Sequence, residues 1–178
     1  GMAHIHSKGI IHGDLKPPNV LLKADERQHI GARALVMDFG LAAALRDDAT
    51  HRSNYTAGTP FYIAPEVITD HKVGRASDVY SFGIMAWQIF TKLTPWVWLG
   101  HEKGFGHNQA FWKVLKNAKI TVHPKLMPLA SLCTMCLLRD PKQRPSFVQI
   151  EQYLRRAHKE VVEALHGAEA EAQPDTPS

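Results

Sequence analysis

Apolar and polar positions follow two rhythms along this chain. Short apolar runs dominate its first forty residues, and helical patterns dominate from Asp70 onward. Residues 4–11 (HIHSKGII) read as a helix end stopped by Gly9. Residues 19–23 (NVLLK) and 34–38 (ALVMD) read as strands, joined by the polar turn ADERQHIGAR. Residues 39–63 lack any period and form a long loop, a class of segment that is functional or disordered. The stretch SDVYSFGIMAWQIFTK is apolar on most faces and predicts a buried central helix, with Ser77 and Asp78 able to cap its start. Trp96, Trp98, Gly100, Gly104 and Gly106 fall in what reads as an irregular linker. NQAFWKVLKN, PLASLCTMCLLRD and SFVQIEQYLRRAHKEVVEAL read as three further helices. Phe147, Ile150, Leu154, Val161 and Leu165 give the last one an apolar stripe. The division predicted is a folded unit over residues 1–166 and a disordered tail over 167–178, where Ala, Glu and Pro offer no apolar face.

Composition narrows the class. With 178 residues, 44% hydrophobic and 21% charged, the chain suits one globular core. A net charge of +4 is spread rather than clustered, which argues against a nucleic-acid partner and suits a phosphate-bearing ligand. No apolar run approaches the roughly 18 residues of a membrane span, so no membrane segment is expected in this chain. Cys133 and Cys136 lack the further ligands of a zinc site and read as two small apolar residues of a helix. Few cysteines point to a reducing compartment, the cytoplasm.

The chemistry concentrates near the start. HGDLKPPN (12–19) puts Asp14 and Asn19 five apart in a loop that feeds a strand, and Asp38 follows the second strand. Two adjacent strands would bring Asp14, Asn19 and Asp38 to a common end. Carboxylates and an amide oxygen are hard donors suited to Mg²⁺ held partly by substrate phosphates. Lys16 adds a positive charge there, and the set as a whole suggests phosphate chemistry. The pair HIH at 4–6 reads as an exposed helix end rather than a metal site. GFG (104–106) follows no predicted strand and reads as flexible linker rather than a phosphate loop.

HGDLKPPN resembles the catalytic loop of eukaryotic protein kinases, DFG (38–40) their metal-binding motif, and APE (64–66) the end of their activation segment. SDVYSFGI is similar to the family's central helix, and RDPKQRPS (139–146) to the segment before its last helix. These matches run in the family's order from about residue 4 to residue 165. The resemblance implies a mainly helical C-terminal lobe of an α+β family, with a short β-hairpin at the cleft and the N-terminal β-rich lobe absent. It implies ATP and Mg²⁺ as cofactors and a protein Ser or Thr hydroxyl as acceptor. Asp14 would accept the hydroxyl proton, Lys16 would stabilise charge on the transferring phosphoryl group, and Thr59 would bridge toward both. Asn19 and Asp38 would hold the metal, and Leu21 would line the adenine site. His12, Phe39 and Gly40 would support the site from within, Asp78 would brace the catalytic loop, and Glu66 would pair with Arg144. Lys16, Thr59 and GTPFYIAPE resemble the serine/threonine form, and DVYSFGIMAWQIFTKLTPW the tyrosine-kinase-like group.

Two departures matter. Gly13 stands where the family usually has an Arg that pairs with a phosphorylated loop, each such charge-assisted bond being worth roughly 1.5–3 kcal/mol. Activity is therefore expected to depend little on phosphorylation at Thr50, Ser53, Tyr55 or Thr56. The glycine-rich loop and strand lysine precede the catalytic loop in this family, and only a dozen residues precede it here. The chain alone is thus expected to be inactive, with the missing N-lobe required for activity. The alternative is a non-catalytic kinase-like module that binds a partner, which has no chemical need for Asp14, Asn19 and Asp38 together.

Overall fold

The computed structural model describes residues 1–28, 30–44, 51–52, 57–117 and 127–171. A short helix, α1 (Met2–Ser7), ends where Gly9 turns the chain at φ 71°, and the two-residue strand β1 (Ile10–Ile11) follows. One 3₁₀ turn, Pro17–Asn19, leads into β2 (Val20–Ala24), which pairs antiparallel with β3 (Ala32–Val36) in unbroken register from Val20↔Val36 to Ala24↔Ala32. The second strand thus ends two residues before Asp38.

The predicted loop over 39–63 contains two short strands. β4 (Ala43–Ala44) pairs with β1, and β5 (His51–Arg52) pairs with β6 (Val73–Gly74). These pairings join residues far apart in sequence, so no local period announces them. Between them α2 (Pro65–Asp70) starts on a proline at N1, the one helical position where a missing N–H costs nothing.

α3 (Arg75–Thr91) is the predicted central helix, and it buries Val79, Ile84, Met85 and Trp87. Two cores meet on it. One gathers Met2, Leu15, Val79, Met85, Leu132, Cys136, Phe147 and Ile150, and the other Tyr62, Ile84, Trp87, Phe111, Ala130 and Cys133. The opposing walls come from α4 (Gln109–Lys116), α5 (Met127–Cys136) and α6 (Phe147–Glu171). Gly83 lets α3 and α5 approach: a Cβ there would lie 2.8 Å from that of Cys136. Cys133 and Cys136 are fully buried free thiols, as an apolar helix face requires. Burial pushes both thiols up to about 12.

Three local readings are corrected. Ser77 does cap α3, its hydroxyl accepting the Gly74 N–H at 2.9 Å, but Asp78 turns inward to other donors. The predicted linker holds a hairpin, β7 (Trp96–Trp98) with β8 (Phe105–His107), so GFG belongs to a turn and strand. The HIH segment is not wholly exposed, since His6 is buried. The last helix runs on to Glu171, past the boundary at 166, and residues 172–178 lie outside those described. Among the described residues the architecture is mixed, six helices with four two-stranded sheets, and no helix is long and apolar enough to cross a membrane.

Candidate active site

The 12–19 loop is held from beneath by α3. Asp78, 1% exposed, accepts the His12 N–H at 2.8 Å on Oδ2 and the Gly13 N–H at 2.9 Å on Oδ1. These donors are buried away from water, and leaving one unpaired would cost about 1–3 kcal/mol. That demand outweighs the capping tendency read from sequence. The His6 Nε2–H also donates to Asp78 at 2.8 Å, and the His6 carbonyl takes the Arg75 Nε–H at 3.1 Å. Sequence reasoning missed His6, because its partner lies 72 residues away and only the fold joins them. Gly13 sits at φ 79°, the left-handed region that glycine enters without a Cβ penalty.

Asp14 emerges from this braced loop at 9% side-chain exposure. Its Oδ1 accepts the Thr59 N–H at 2.9 Å and the Thr59 hydroxyl at 2.6 Å. Its Oδ2 accepts Lys16 Nζ at 2.7 Å and, more distantly, Asn19 Nδ2 at 3.3 Å. Lys16 Nζ also reaches the Thr59 hydroxyl oxygen at 2.6 Å, linking the three residues predicted to act together. Burial pushes the Asp14 carboxyl up, but Lys16 and Thr59 together outweigh it and hold it below its ordinary 3.8. Asp14 is therefore an anion across the physiological range, as a proton acceptor must be.

Asn19 is 5% exposed, and its Nδ2 donates to the Asp14 carbonyl at 2.8 Å. That bond turns the amide oxygen away from the loop. The Asn19 carbonyl accepts the Met37 N–H at 2.9 Å, which extends the β2–β3 ladder by one step to Asn19 and Met37 and leaves Asp38 as the next residue past it. Asp38 adopts φ 63°, an uncommon conformation for a residue with a Cβ, and its Oδ1 accepts the Gly40 N–H at 3.2 Å. Phe39 lies 5.1 Å from the His12 ring, centroid to centroid. His12 is fully buried; its Nε2–H donates to the Met37 carbonyl at 3.0 Å and its Nδ1 accepts the Asp14 N–H at 3.2 Å. One imidazole thus ties the base-bearing loop to the strand end carrying Asp38. Leu21 lies on β2 and is 52% exposed; Leu22, on the opposite face of the strand, and Met37 and Phe39 past the end of β3 are exposed as well.

Glu66 and Arg144 meet in a two-pronged pair, Nη1 to Oε1 at 2.6 Å and Nη2 to Oε2 at 2.8 Å. Arg144 also donates to the carbonyls of Leu138, Arg139 and Ala76 and stands over the Tyr80 ring at 5.0 Å. Thr50, Ser53, Tyr55 and Thr56 lie outside the described residues.

This arrangement offers a carboxylate base, a cation beside it, and oxygen donors from Asn19 and Asp38. Asn19 and Asp38 fit Mg²⁺: both are hard oxygen donors, and among the described residues neither the Asn19 side-chain oxygen nor Asp38 Oδ2 accepts a hydrogen bond. Among the described residues no group of three His, Cys, Asp or Glu side chains could hold a metal alone, so phosphate oxygens would complete the shell.

The protein kinase domain model matches residues 1–155. The chain belongs to the protein kinase family. This kinase chain is 36% identical over 154 residues to mitogen-activated protein kinase kinase kinase 7 of Bos taurus, covering 84% of the chain and 24% of the relative. It is 34% identical over 164 residues to mitogen-activated protein kinase kinase kinase 12 of Rattus norvegicus, covering 91% and 17%. It is 33% identical over 177 residues to dual specificity testis-specific protein kinase 2 of Homo sapiens, covering 98% and 29%. The chain thus spans about a quarter of the length of such relatives. The serine/threonine-type, tyrosine-kinase-like resemblance read from its motifs holds. Protein kinases as a family use ATP and Mg²⁺.

Proposed function

We propose that this chain is the C-terminal lobe of a serine/threonine protein kinase, transferring the γ-phosphoryl group of ATP to a Ser or Thr hydroxyl of a protein. The observation that carries this reading is Asp14: a carboxylate held anionic and fixed in direction by Lys16 and Thr59, beside Asn19 and Asp38. The acceptor hydroxyl gives its proton to Asp14 as its oxygen bonds to the γ-phosphorus. The bond from that phosphorus to the bridging oxygen breaks, and ADP leaves. Lys16 offsets negative charge on the moving phosphoryl group, and Asn19 and Asp38 would hold Mg²⁺, which neutralises phosphate charge when bound.

The exposed apolar side chains of Leu21, Leu22, Met37 and Phe39 around the β2–β3 hairpin support a second, N-terminal lobe lying over this one, carrying the glycine-rich loop and the lysine that hold ATP. The two buried thiols suit a reducing compartment, the cytoplasm. The test is phosphotransfer by the full-length protein on a Ser/Thr peptide mixture, against Asp14→Asn and against residues 1–178 alone. Activity from the full protein, lost in Asp14→Asn and in the isolated chain, is the expected result. Full-length protein with no transfer and no ATP binding would favour the non-catalytic module.

A further inference from the structure

We propose that the β7–β8 hairpin is a docking platform for the substrate chain, selecting a large apolar side chain close to the phosphoacceptor. The proposal rests on the kinase reading above and names the substrate class of that same site. Pairing of Trp96 with His107 and of Trp98 with Phe105 puts all four rings on one face. They interlock edge-on, Phe105 lying 5.0 Å from Trp96 and 4.9 Å from Trp98. On the other face Gly106 opposes Val97, and Leu99 fills the space so closely that a Cβ on Gly106 would stand 2.4 Å from it. The hairpin is therefore stiff, yet Trp98 and Phe105 remain 49% and 57% exposed. Aromatic surface of this size left open on a rigid element marks a contact site.

What covers it is argued from where it is attached. Thr59 is bonded to Asp14, so residues 59–62 border the position of the acceptor hydroxyl. Two consecutive residues of that segment hold the hairpin. The Phe61 ring meets His107 edge-on at 5.0 Å, and the Tyr62 hydroxyl, which donates to Gln88, lies close to Trp96. Phe61 takes φ 72° to do so, an outlier for an aromatic residue. Trp98 and Phe105 thus share a face with His107, which the segment bordering the acceptor touches. Lys103 and Glu102 at the hairpin tip cancel, so the platform carries no net charge to attract an ionic side chain. Apolar burial is what it offers.

The experiment uses the full-length protein and a peptide set around one Ser, with each flanking position changed in turn among Phe, Leu, Ala, Asp and Arg. One flanking position at which Phe or Leu raises kcat/KM at least tenfold over Ala is expected. In Trp98→Ala/Phe105→Ala that preference disappears, the loss falls on KM, and the variant no longer distinguishes the two peptides. Trp98→Phe/Phe105→Tyr retains it. An equal preference in the alanine variant, or none in the wild type, overturns the proposal. So does a dimer of the wild type that the alanine variant dissolves, since a second copy would then be the occupant. A wild type that phosphorylates no peptide counts against the kinase reading, and docking is then read by calorimetry with Ala in place of the acceptor Ser. Binding of the Phe peptide that the alanine variant lacks supports the platform, and no binding to the wild type overturns it. Unchanged melting temperatures of both variants show that the fold is intact.

Discussion

The two halves of the candidate site are built differently. Below, the 12–19 loop is held by side chains: Asp78 holds its backbone, Lys16 and Thr59 hold Asp14, and Glu66–Arg144 ties residues 64–66 to the helical base. Above, Asp38 and Phe39 stand exposed at the end of a hairpin with exposed apolar side chains. Asp38 carries one short-range bond to Gly40. The base is pre-set by the fold, which spares the reaction any reorganisation of that group. Asp38, proposed to hold Mg²⁺, is left to be fixed by what binds it.

The largest effect that would break this contrast is on stability. Arg144→Ala should cost about 3–5 kcal/mol, because it leaves Glu66 and several carbonyls without their cation in a buried place. Asp38→Asn should stay within about 0.5 kcal/mol. Chemical denaturation of both variants measures this, and equal losses would erase the distinction. Beneath the site, Gly83→Ala should cost about 1–3 kcal/mol by forcing α3 off Cys136 and Leu137, read by the same denaturation curves.

A smaller effect sharpens the contrast by pH. The folded Asp14 pKa is depressed, so its stabilising contribution is present above about 3.8 and is lost as pH falls through the folded value. Denaturation midpoints of wild type and Asp14→Asn should therefore differ at neutral pH and converge below about pH 4. The smallest effect is kinetic: thiols pushed up to about 12 leave almost no thiolate at pH 7.5. Cys133 and Cys136 should resist iodoacetamide in the native protein and label at once in denaturant. Fast native labelling would mean the lower half opens readily.

How much of this was legible in sequence depended on range. Asp14, Lys16 and Asn19 lie within one short loop, and the apolar runs flanking it read directly as the β2–β3 hairpin, past whose end Asp38 lies. The long helices declared themselves through their apolar faces. The β7–β8 hairpin did not, because each strand is only three residues and glycines punctuate both strand and turn. Asp78 had two readings: a local rule makes it a cap near a helix start, the resemblance puts it under the catalytic loop, and the N–H groups of His12 and Gly13 donate to it. His6 gave no signal at all, since nothing local marks a histidine destined to meet a carboxylate 72 residues later.

The bonds around Asp14 also set the order of events. A carboxylate has about four acceptor positions. Here Thr59 supplies two donors, Lys16 a third and Asn19 a fourth. The resting base is saturated, so an arriving hydroxyl enters by exchange rather than by addition. The Asn19 amide, at 3.3 Å, is the donor held least firmly. Its loss would open one acceptor position on Asp14 to a hydroxyl, while the shorter bond from the same amide to the Asp14 carbonyl would keep the Asn19 side chain in place.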